Sequence, residues 1–165
     1  MLCHTINFDR SIMPIIRILL VCLFLVPAVV VFAQPCPTPD SAGPHAAGWR
    51  TVTVQRASRT LNCRLYYPAQ SAGQNAAASI VGAPYPMIAF GHGFFMQTSY
   101  YNSYYEHLAT RGYIVIAPQF PDTQHDELAL DLLACLEYLR QSGTSGSHFL
   151  SGVVEIGRAS CRERV

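Results

Sequence analysis

The sequence predicts an α/β fold with a mostly parallel sheet, and three observations support that prediction. Strand-like and helical segments occur in the order β, β, β, α, β, α along the chain. The late alternation of strand and helix is typical of parallel strands joined by crossover helices. The first two strands are consecutive, which predicts an antiparallel edge at the start of the sheet. Of the 165 residues, 50% are apolar and 13% are charged, which argues against a disordered chain.

Three short segments in the first part of the chain are predicted to be strands. Thr51–Gln55 alternates with a period of two and is rich in β-branched residues. Leu61–Tyr67 has the same character, and Pro68 is predicted to end it. Tyr85–Phe90 is a short apolar run closed by Gly91, which is typical of a buried strand.

Ser99–Thr110 is predicted to form the first helix, and Gly112 is predicted to terminate it. Its apolar face is predicted from residues at the helical spacing i, i+3, i+4 and i+7. These residues are Tyr101, Tyr104, Tyr105 and Leu108. The most strand-like segment of the chain, Tyr113–Ala117, comes next and is expected to end at Pro118.

Asp126–Gln141 is the clearest helix in the sequence. Acidic residues occupy its first turn and Arg140 occupies its last turn, so charges at both ends interact favourably with the helix dipole. Its apolar residues form one stripe, made of Leu128, Leu132, Cys135, Leu136 and Leu139. The sequence therefore predicts that Cys135 is a buried thiol.

Residues 1–33 predict a signal peptide. Two arginines, Arg10 and Arg17, precede the apolar run Ile18–Ala33, and Val31 and Ala33 occupy the positions expected before a cleavage site. We therefore expect a secreted or periplasmic protein. The alternative is a membrane anchor, in which the segment stays uncleaved, although the run is short for a span and is interrupted by proline.

The two flanks of the predicted domain are expected to lack regular structure. Residues 34–48 are rich in proline and small residues and predict a flexible leader. Residues 155–165 show neither a helical nor a strand period, and they resemble the translation of a sequencing-library adaptor. We predict that this tail is non-native, and that residues 49–154 are an incomplete α/β domain whose gene continues beyond Val154.

The segment most informative about chemistry is Gly91-His92-Gly93, at the end of a predicted buried strand. A turn of this composition lets backbone N–H groups point into a cavity above the edge of the sheet. Fixed backbone donors of that kind stabilise an oxyanion.

The run from Pro86 to Pro121 gives this turn a context. It combines the strand ending in His92-Gly93, the helix ending in Leu108–Tyr113 and the strand Ile114–Gln119. The run resembles the serine esterases of the α/β-hydrolase superfamily, and within them the chlorophyllase-like, dienelactone-hydrolase-like and polyester- or platelet-activating-factor-acetylhydrolase-like branch. The resemblance covers about residues 50–154 and implies an N-terminal part of an α/β-hydrolase fold.

The resemblance implies roles for the residues around the turn. The backbone N–H of Phe94 would be an oxyanion-hole donor, and Gly91, His92 and Gly93 would support the loop. Phe94, Phe95 and Tyr100 would line a substrate cleft, although packing in the core is the alternative for the two phenylalanines and for most of the nearby tyrosines. His92 would brace the loop and would not be the catalytic histidine, which comes last in the order of this superfamily.

The chain departs from the family at the nucleophile. No Gly-x-Ser-x-Gly motif occurs in the sequence, so none of the catalytic triad is expected in this chain, which ends before the nucleophile elbow. The Phe149–Val154 segment is expected to lead toward the missing nucleophile strand. The resemblance implies an intact enzyme that uses a Ser-His-Asp triad and an acyl-enzyme, whereas this chain itself is expected to be inactive.

The remaining predictions concern partners, metals and disulfides. The expected substrate is a small-molecule, lipid or polymer ester, and no cofactor or metal is implied. A metal cluster at Asp122–Glu127 is less favoured than an ordinary helix start. The formal charge of +1 argues against a nucleic-acid partner, and a membrane contact is expected only with an uncleaved signal segment. Cys36 and Cys63 are the candidate disulfide pair.

Two other hypotheses remain open at this stage. The chain taken at face value is a non-catalytic secreted or membrane-anchored binding domain that has lost its triad. The chain taken as a fragment is expected to aggregate or to be degraded. Without the later strands, the two faces of Ile114–Ala117 could not both be buried, and an apolar edge would stay open.

Overall fold

One mixed β-sheet with a helix on each face forms the part of the protein that the structure describes. The structure is a computed structural model, and it describes residues 40–93, 95–120 and 124–163, with only the backbone for 158–163. In chain order the elements are β1 (Ala46–Arg56), β2 (Arg59–Ala69), β3 (Gly73–Gln74), β4 (Tyr85–Gly91), a 3-10 helix (Thr98–Tyr101), α1 (Asn102–Thr110), β5 (Ile114–Gln119), α2 (His125–Thr144) and β6 (Val154–Glu163).

The strand order in the sheet is β3-β1-β2-β5-β4-β6. β1 and β2 are antiparallel, as predicted, and β2 is also antiparallel to β5. β4 lies between β5 and β6 and runs parallel to both. The late strands are therefore joined by crossover helices, and the sheet is consistent with a partial α/β fold.

The hairpin of β1 and β2 is longer than the sequence predicts. β1 begins at Ala46 and pairs with Ala69, so the strand extends into the segment predicted to be a leader. β2 continues through Pro68, which the sequence predicts as its end. Pro68 lies beyond the residues of β2 that pair with β5, so its missing N–H does not interrupt that ladder. β5 likewise runs through Pro118 to Gln119.

The two helices cover opposite faces of the sheet. Along β5, Ile114 and Ile116 belong to the cluster packed with α2, and Val115 and Ala117 belong to the cluster packed with α1. All four side chains are at most 1% exposed. The expectation that this strand would lack a cover on both faces is therefore wrong, because one crossover helix lies on each side.

The first helix differs from its prediction at both its start and its buried face. A 3-10 helix precedes α1, which begins only at Asn102. Tyr105 and Ala109 are buried, but Tyr104 is 56% exposed, so the prediction that places Tyr104 on the buried face is wrong. Gly112 terminates the helix as predicted, at a φ of 88°, which glycine adopts without steric cost.

The second helix is confirmed by the structure. α2 begins one residue before the predicted Asp126 and ends three residues after the predicted Gln141. Four residues of the predicted stripe are buried and Leu136 is partly buried against the same core. Asp131, also buried, forms ion pairs with Arg56 and Arg59 at the β1–β2 turn.

Several predictions fall outside the described residues. They are the signal peptide at 1–33, Cys36 and Phe94. β6 occupies the sheet edge next to β4 and includes most of the segment predicted to be a non-native tail. The expectation that this segment lacks regular structure is therefore wrong, and its origin stays a prediction. Among the residues that are described, no helix has both the length and the apolarity to cross a membrane.

Candidate functional site

The topology of the sheet predicts an opening, which we call the crevice, at the carboxyl ends of β4 and β5. The chain leaves β4 toward α1 on one face, and it leaves β5 toward α2 on the other face. Adjacent parallel strands whose connections diverge in this way leave an opening between their loops, where α/β proteins bind ligands. Gly91, His92 and Gly93 lie at the β4 side of this opening.

His92 connects the loop after β4 to the end of β5. Its Nδ1 lies 3.1 Å from the carbonyl oxygen of Gly93, and its Nε2 accepts a hydrogen bond from the backbone N–H of Phe120 at 3.3 Å. A carbonyl only accepts and a backbone N–H only donates. With these partners Nδ1 acts as the donor and the Nε2 lone pair as the acceptor, so both ring nitrogens are used to hold the loop.

Gln119 links the same loop to the start of the 3-10 helix. Its side-chain oxygen accepts a hydrogen bond from Thr98 N–H at 3.0 Å, and its amide nitrogen lies 3.4 Å from His92 Nε2. Thr98 also donates its hydroxyl to the carbonyl of Pro118 at 3.1 Å. The last two residues of β5 thereby hold both ends of the segment 92–98.

Tyr101 supports Gly93 from the side of α1. The Gly93 N–H donates to the Tyr101 hydroxyl at 3.4 Å, and a Cβ built on Gly93 would lie 3.2 Å from that hydroxyl. A side chain at this position would therefore displace the Tyr101 hydroxyl or weaken its hydrogen bond to Gly93. Below the loop, the ring of Phe90 packs against those of Tyr101 and Tyr105. Burial raises the pKa of Tyr105, so its phenol stays protonated.

Phe95 adopts a strained backbone beside the crevice. Its φ is 57°, a conformation that costs a side chain with a Cβ about 1 kcal/mol or more. Its side chain is 88% exposed, so core packing, the alternative considered for this residue, is wrong. Met96 N–H donates to the Gly93 carbonyl at 3.0 Å and closes a tight turn here. An exposed aromatic residue in a strained turn is typical of a functional site.

Four exposed apolar side chains lie in this turn and at the start of the helical segment. We call them together the aromatic surface, which consists of Phe95, Met96, Tyr100 and Tyr104. Met96 is 39% exposed, and Tyr100 and Tyr104 are 62% and 56% exposed. Of the residues predicted to line a substrate cleft, the structure thus places Phe95 and Tyr100 on one surface, and Phe94 lies outside the described residues.

The arrangement can hold an oxyanion loop rigidly, but the described residues do not include the predicted donor. The N–H of Phe94 therefore stays a prediction. The Gly93 N–H is engaged by Tyr101 and the Met96 N–H by the Gly93 carbonyl. These bonds hold Gly93 and Met96 in place, and an oxyanion site requires backbone groups that are held in place.

The residues considered for a metal cluster and for a disulfide are engaged in contacts of the fold or lie outside the described residues. Asp126 and Glu127 lie in the first turn of α2, where Glu127 forms an ion pair with Arg56. Asp122 is outside the described residues, and within those that are described no three His, Cys, Asp or Glu side chains are grouped to hold a metal. Cys63 is a buried thiol on β2, and its predicted pairing with Cys36 stays a prediction.

Sequence reasoning did not find Gln119 and Thr98 as site residues, and it considered Tyr101 only as a cleft or packing residue, without a contact to the loop. One signal for Gln119 was present, because it is the first residue after Pro118 at the carboxyl end of a parallel strand, where site residues collect. Thr98 and Tyr101 carry no such signal. Their roles depend on how closely the 3-10 helix approaches the end of β5, which the sequence pattern does not specify.

Comparisons with known proteins find a similarity in the part of the chain that contains the candidate site. A family model described as Chlorophyllase matches residues 74–135, which include β4, the loop after it, α1 and β5. A curated relative, Chlorophyllase-1 of Arabidopsis thaliana, is 41% identical over 39 residues, or 24% of this chain. The match spans 12% of the length of that relative. Both matches are short, and each covers less than half of this chain.

Proposed function

We propose that this chain is the N-terminal part of a secreted carboxylic-ester hydrolase and supplies its oxyanion loop. In the intact enzyme a serine attacks the ester carbonyl, an acyl-enzyme forms, and water hydrolyses it. The serine, its acid and its histidine come from the protein that follows Val154, so the chain by itself is inactive. The particular branch of the esterases is part of the same proposal.

The observation that carries the proposal is the set of hydrogen bonds around His92 and Gly93 at the carboxyl end of β4. Backbone donors lower a barrier only if they are held in place before the charge develops. Here His92 is fixed by Gly93 and Phe120, and Gly93 is fixed by Tyr101. The loop lies at the crevice where the sheet connections diverge, and the family similarity covers the same residues.

The hydrogen bonds of His92 support its role as a bracing residue. Its Nε2 lone pair accepts the Phe120 N–H, so this lone pair is already used within the protein. A general base needs an available lone pair directed at the substrate. The proposal therefore assigns proton transfer to another histidine and assigns His92 to the loop.

The aromatic surface gives the proposal a substrate class. Exposed aromatic and methionine side chains beside the loop suit an ester with a large apolar acyl or alcohol group. In the described residues, the groups on this surface carry no formal charge. A polar or charged small ester would gain little from such a surface.

The test is hydrolysis of p-nitrophenyl esters of increasing acyl length by the product of the complete reading frame. We expect hydrolysis, with kcat/KM rising with chain length, and no hydrolysis by the 165-residue chain. Phe95→Gly is expected to raise KM for the long ester several-fold without lowering Tm, because glycine relieves the positive φ. The absence of ester hydrolysis in the complete product would contradict the proposal.

Val81→Gly is the matched control for this variant. Val81 is 74% exposed, like Phe95 a large apolar residue on the surface. It lies in the loop before the amino end of β4, whereas Phe95 follows the carboxyl end of that strand. Its replacement should leave KM unchanged, and an equal change in both variants would show that Phe95 does not contact the substrate.

A further inference from the structure

Two cysteines far apart in the sequence meet in the core between the sheet and α2. Cys63 lies on β2 and Cys135 on α2, with a sequence separation of 72. Their Sγ atoms are 3.7 Å apart, and the two residues are 1% and 0% exposed. This contact has no part in the proposed ester hydrolysis.

The fold brings these two side chains together by its regular geometry. Leu61, Cys63 and Leu65 alternate toward the same face of β2, and all belong to the cluster packed under α2. Cys135 lies on the helix stripe one turn after Leu132 and one turn before Leu139, the sequence positions that face this cluster. The two sulfurs therefore approach each other from the centres of their elements.

Ion pairs at one end of α2 fix its position over the hairpin. Asp131, one helical turn before Cys135, is 0% exposed and binds both Arg56 and Arg59. Glu127, a further turn away, binds Arg56. Because these arginines flank the β1–β2 turn, they set the register of the helix against β2, and with it the position of Cys135 relative to Cys63.

We propose that Cys63 and Cys135 are a disulfide site that cross-links β2 to α2. The bond requires an oxidant, which we specify as a disulfide of a thiol oxidoreductase or of a small thiol. One cysteine thiolate attacks the oxidant and expels a thiolate, giving a mixed disulfide. The second thiolate attacks the cysteine sulfur of that mixed disulfide and expels the remaining thiol. Two protein thiols are oxidised and one external disulfide is reduced.

Burial determines when this bond forms and how it behaves afterwards. Both sulfurs are covered by the sheet and α2, so an oxidant reaches them only before the helix packs onto the sheet. Once the helix is in place, the same cover excludes a reductant. The site therefore fits a structural disulfide formed during folding after export, in the type of compartment where disulfides persist.

The experiment maps the bond in the chain exported through its own N-terminal segment. Thiols are trapped with N-ethylmaleimide in denaturant, and the chain is digested with trypsin without reduction. Cleavage after arginine places each candidate cysteine on a different peptide. Cys36 is on a peptide ending at Arg50, Cys63 is on Thr60–Arg64, and Cys135 is on Gly112–Arg140.

The expected result is a cross-linked pair of the peptides Thr60–Arg64 and Gly112–Arg140, lighter by two hydrogens than their sum. Cys36→Ser should retain this cross-link, and Cys135→Ser should abolish it. The proposal is overturned if Cys63 carries the alkylating group in the trapped chain. It is equally overturned if Cys63 is linked to the peptide that contains Cys36.

A second variant gives a readout that does not depend on peptide mapping. Cys63→Val keeps an apolar side chain in the core and removes the bond. We expect the oxidised chain to unfold at a higher denaturant concentration than this variant, because the cross-link restricts the unfolded chain. The two midpoints should coincide when both proteins are unfolded in the presence of reductant. Equal midpoints under oxidising conditions would count against the bond.

Discussion

At the scale of single residues, His92 and Gln119 determine how the loop after β4 is held. His92 uses one ring nitrogen to contact the Gly93 carbonyl in the loop and the other to accept the N–H of Phe120, which directly follows β5. Gln119 is exposed at the end of β5, yet its amide bridges Thr98 and His92. Such a bridge is expected to contribute little to global stability, because the Gln119 side chain is exposed to water. Its effect should therefore appear in the geometry of the loop.

Gln119→Ala is expected to lower kcat of the complete enzyme by about tenfold, less than the loss of a direct oxyanion donor. KM and Tm should change little, since the side chain lies outside the core. The control is Gln55→Ala, an exposed glutamine on β1 that accepts a hydrogen bond from Thr60. If both variants have the same kcat, Gln119 does not position the loop.

His148 provides a test of electrostatics away from the site. Burial, and then the charge of Arg50, lower the pKa of His148 below its ordinary 6.5. Its Nδ1 accepts the N–H of Leu150 at 3.2 Å. The folded protein therefore favours the neutral ring. The unfolded chain binds a proton first as the pH falls, so stability is lost below about pH 6.5.

The measurement is an NMR titration of the His148 ring in the folded chain and in urea. The midpoint in the folded chain should lie below the midpoint in urea. A folded midpoint at or above the urea value would show that the ring is not desolvated as described.

At the scale of elements, α2 depends on a buried carboxylate for its attachment to the β1–β2 turn. Asp131 accepts hydrogen bonds from Arg56 and Arg59 while fully buried. Removing one member of a buried ionic cluster leaves the remaining charges without their partner, which is more costly than the loss of a surface pair.

Asp131→Ala is expected to lower the free energy of unfolding by about 3 kcal/mol. The matched control is Glu137→Ala, on the same helix, which removes an ion pair with Arg140 in which both side chains are 48% exposed. This control should unfold at nearly the wild-type denaturant midpoint. Urea unfolding of the three proteins gives the comparison, and equal losses in both variants would contradict the structural role of Asp131.

At the scale of the whole molecule, the sequence predicts the elements better than it predicts their contacts. The alternating pattern of Thr51–Gln55 and the stripe of α2 both correspond to observed elements, because periodicity depends on which face is buried. The exposure of Tyr104 was not predictable in this way. Its position matches the helical face, but the 3-10 helix before α1 changes which side chains meet the sheet.

The candidate site was predictable only where the residue types themselves determine how the backbone can turn. Gly91-His92-Gly93 could be found because two glycines flank a histidine after a buried strand. Gln119 and Tyr101 reach this loop through tertiary contacts at 3.4 Å. Those contacts depend on how β5 and α1 approach β4, and no local pattern encodes them.

The central claim is that the loop of this chain serves a serine nucleophile in the same protein. The most direct measurement is the sequence of the source genomic DNA across codon 155. We predict an open reading frame that replaces the tail with a strand, a Gly-x-Ser-x-Gly motif and a helix. A stop codon directly after Val165 would contradict the claim and would favour a binding domain without catalysis.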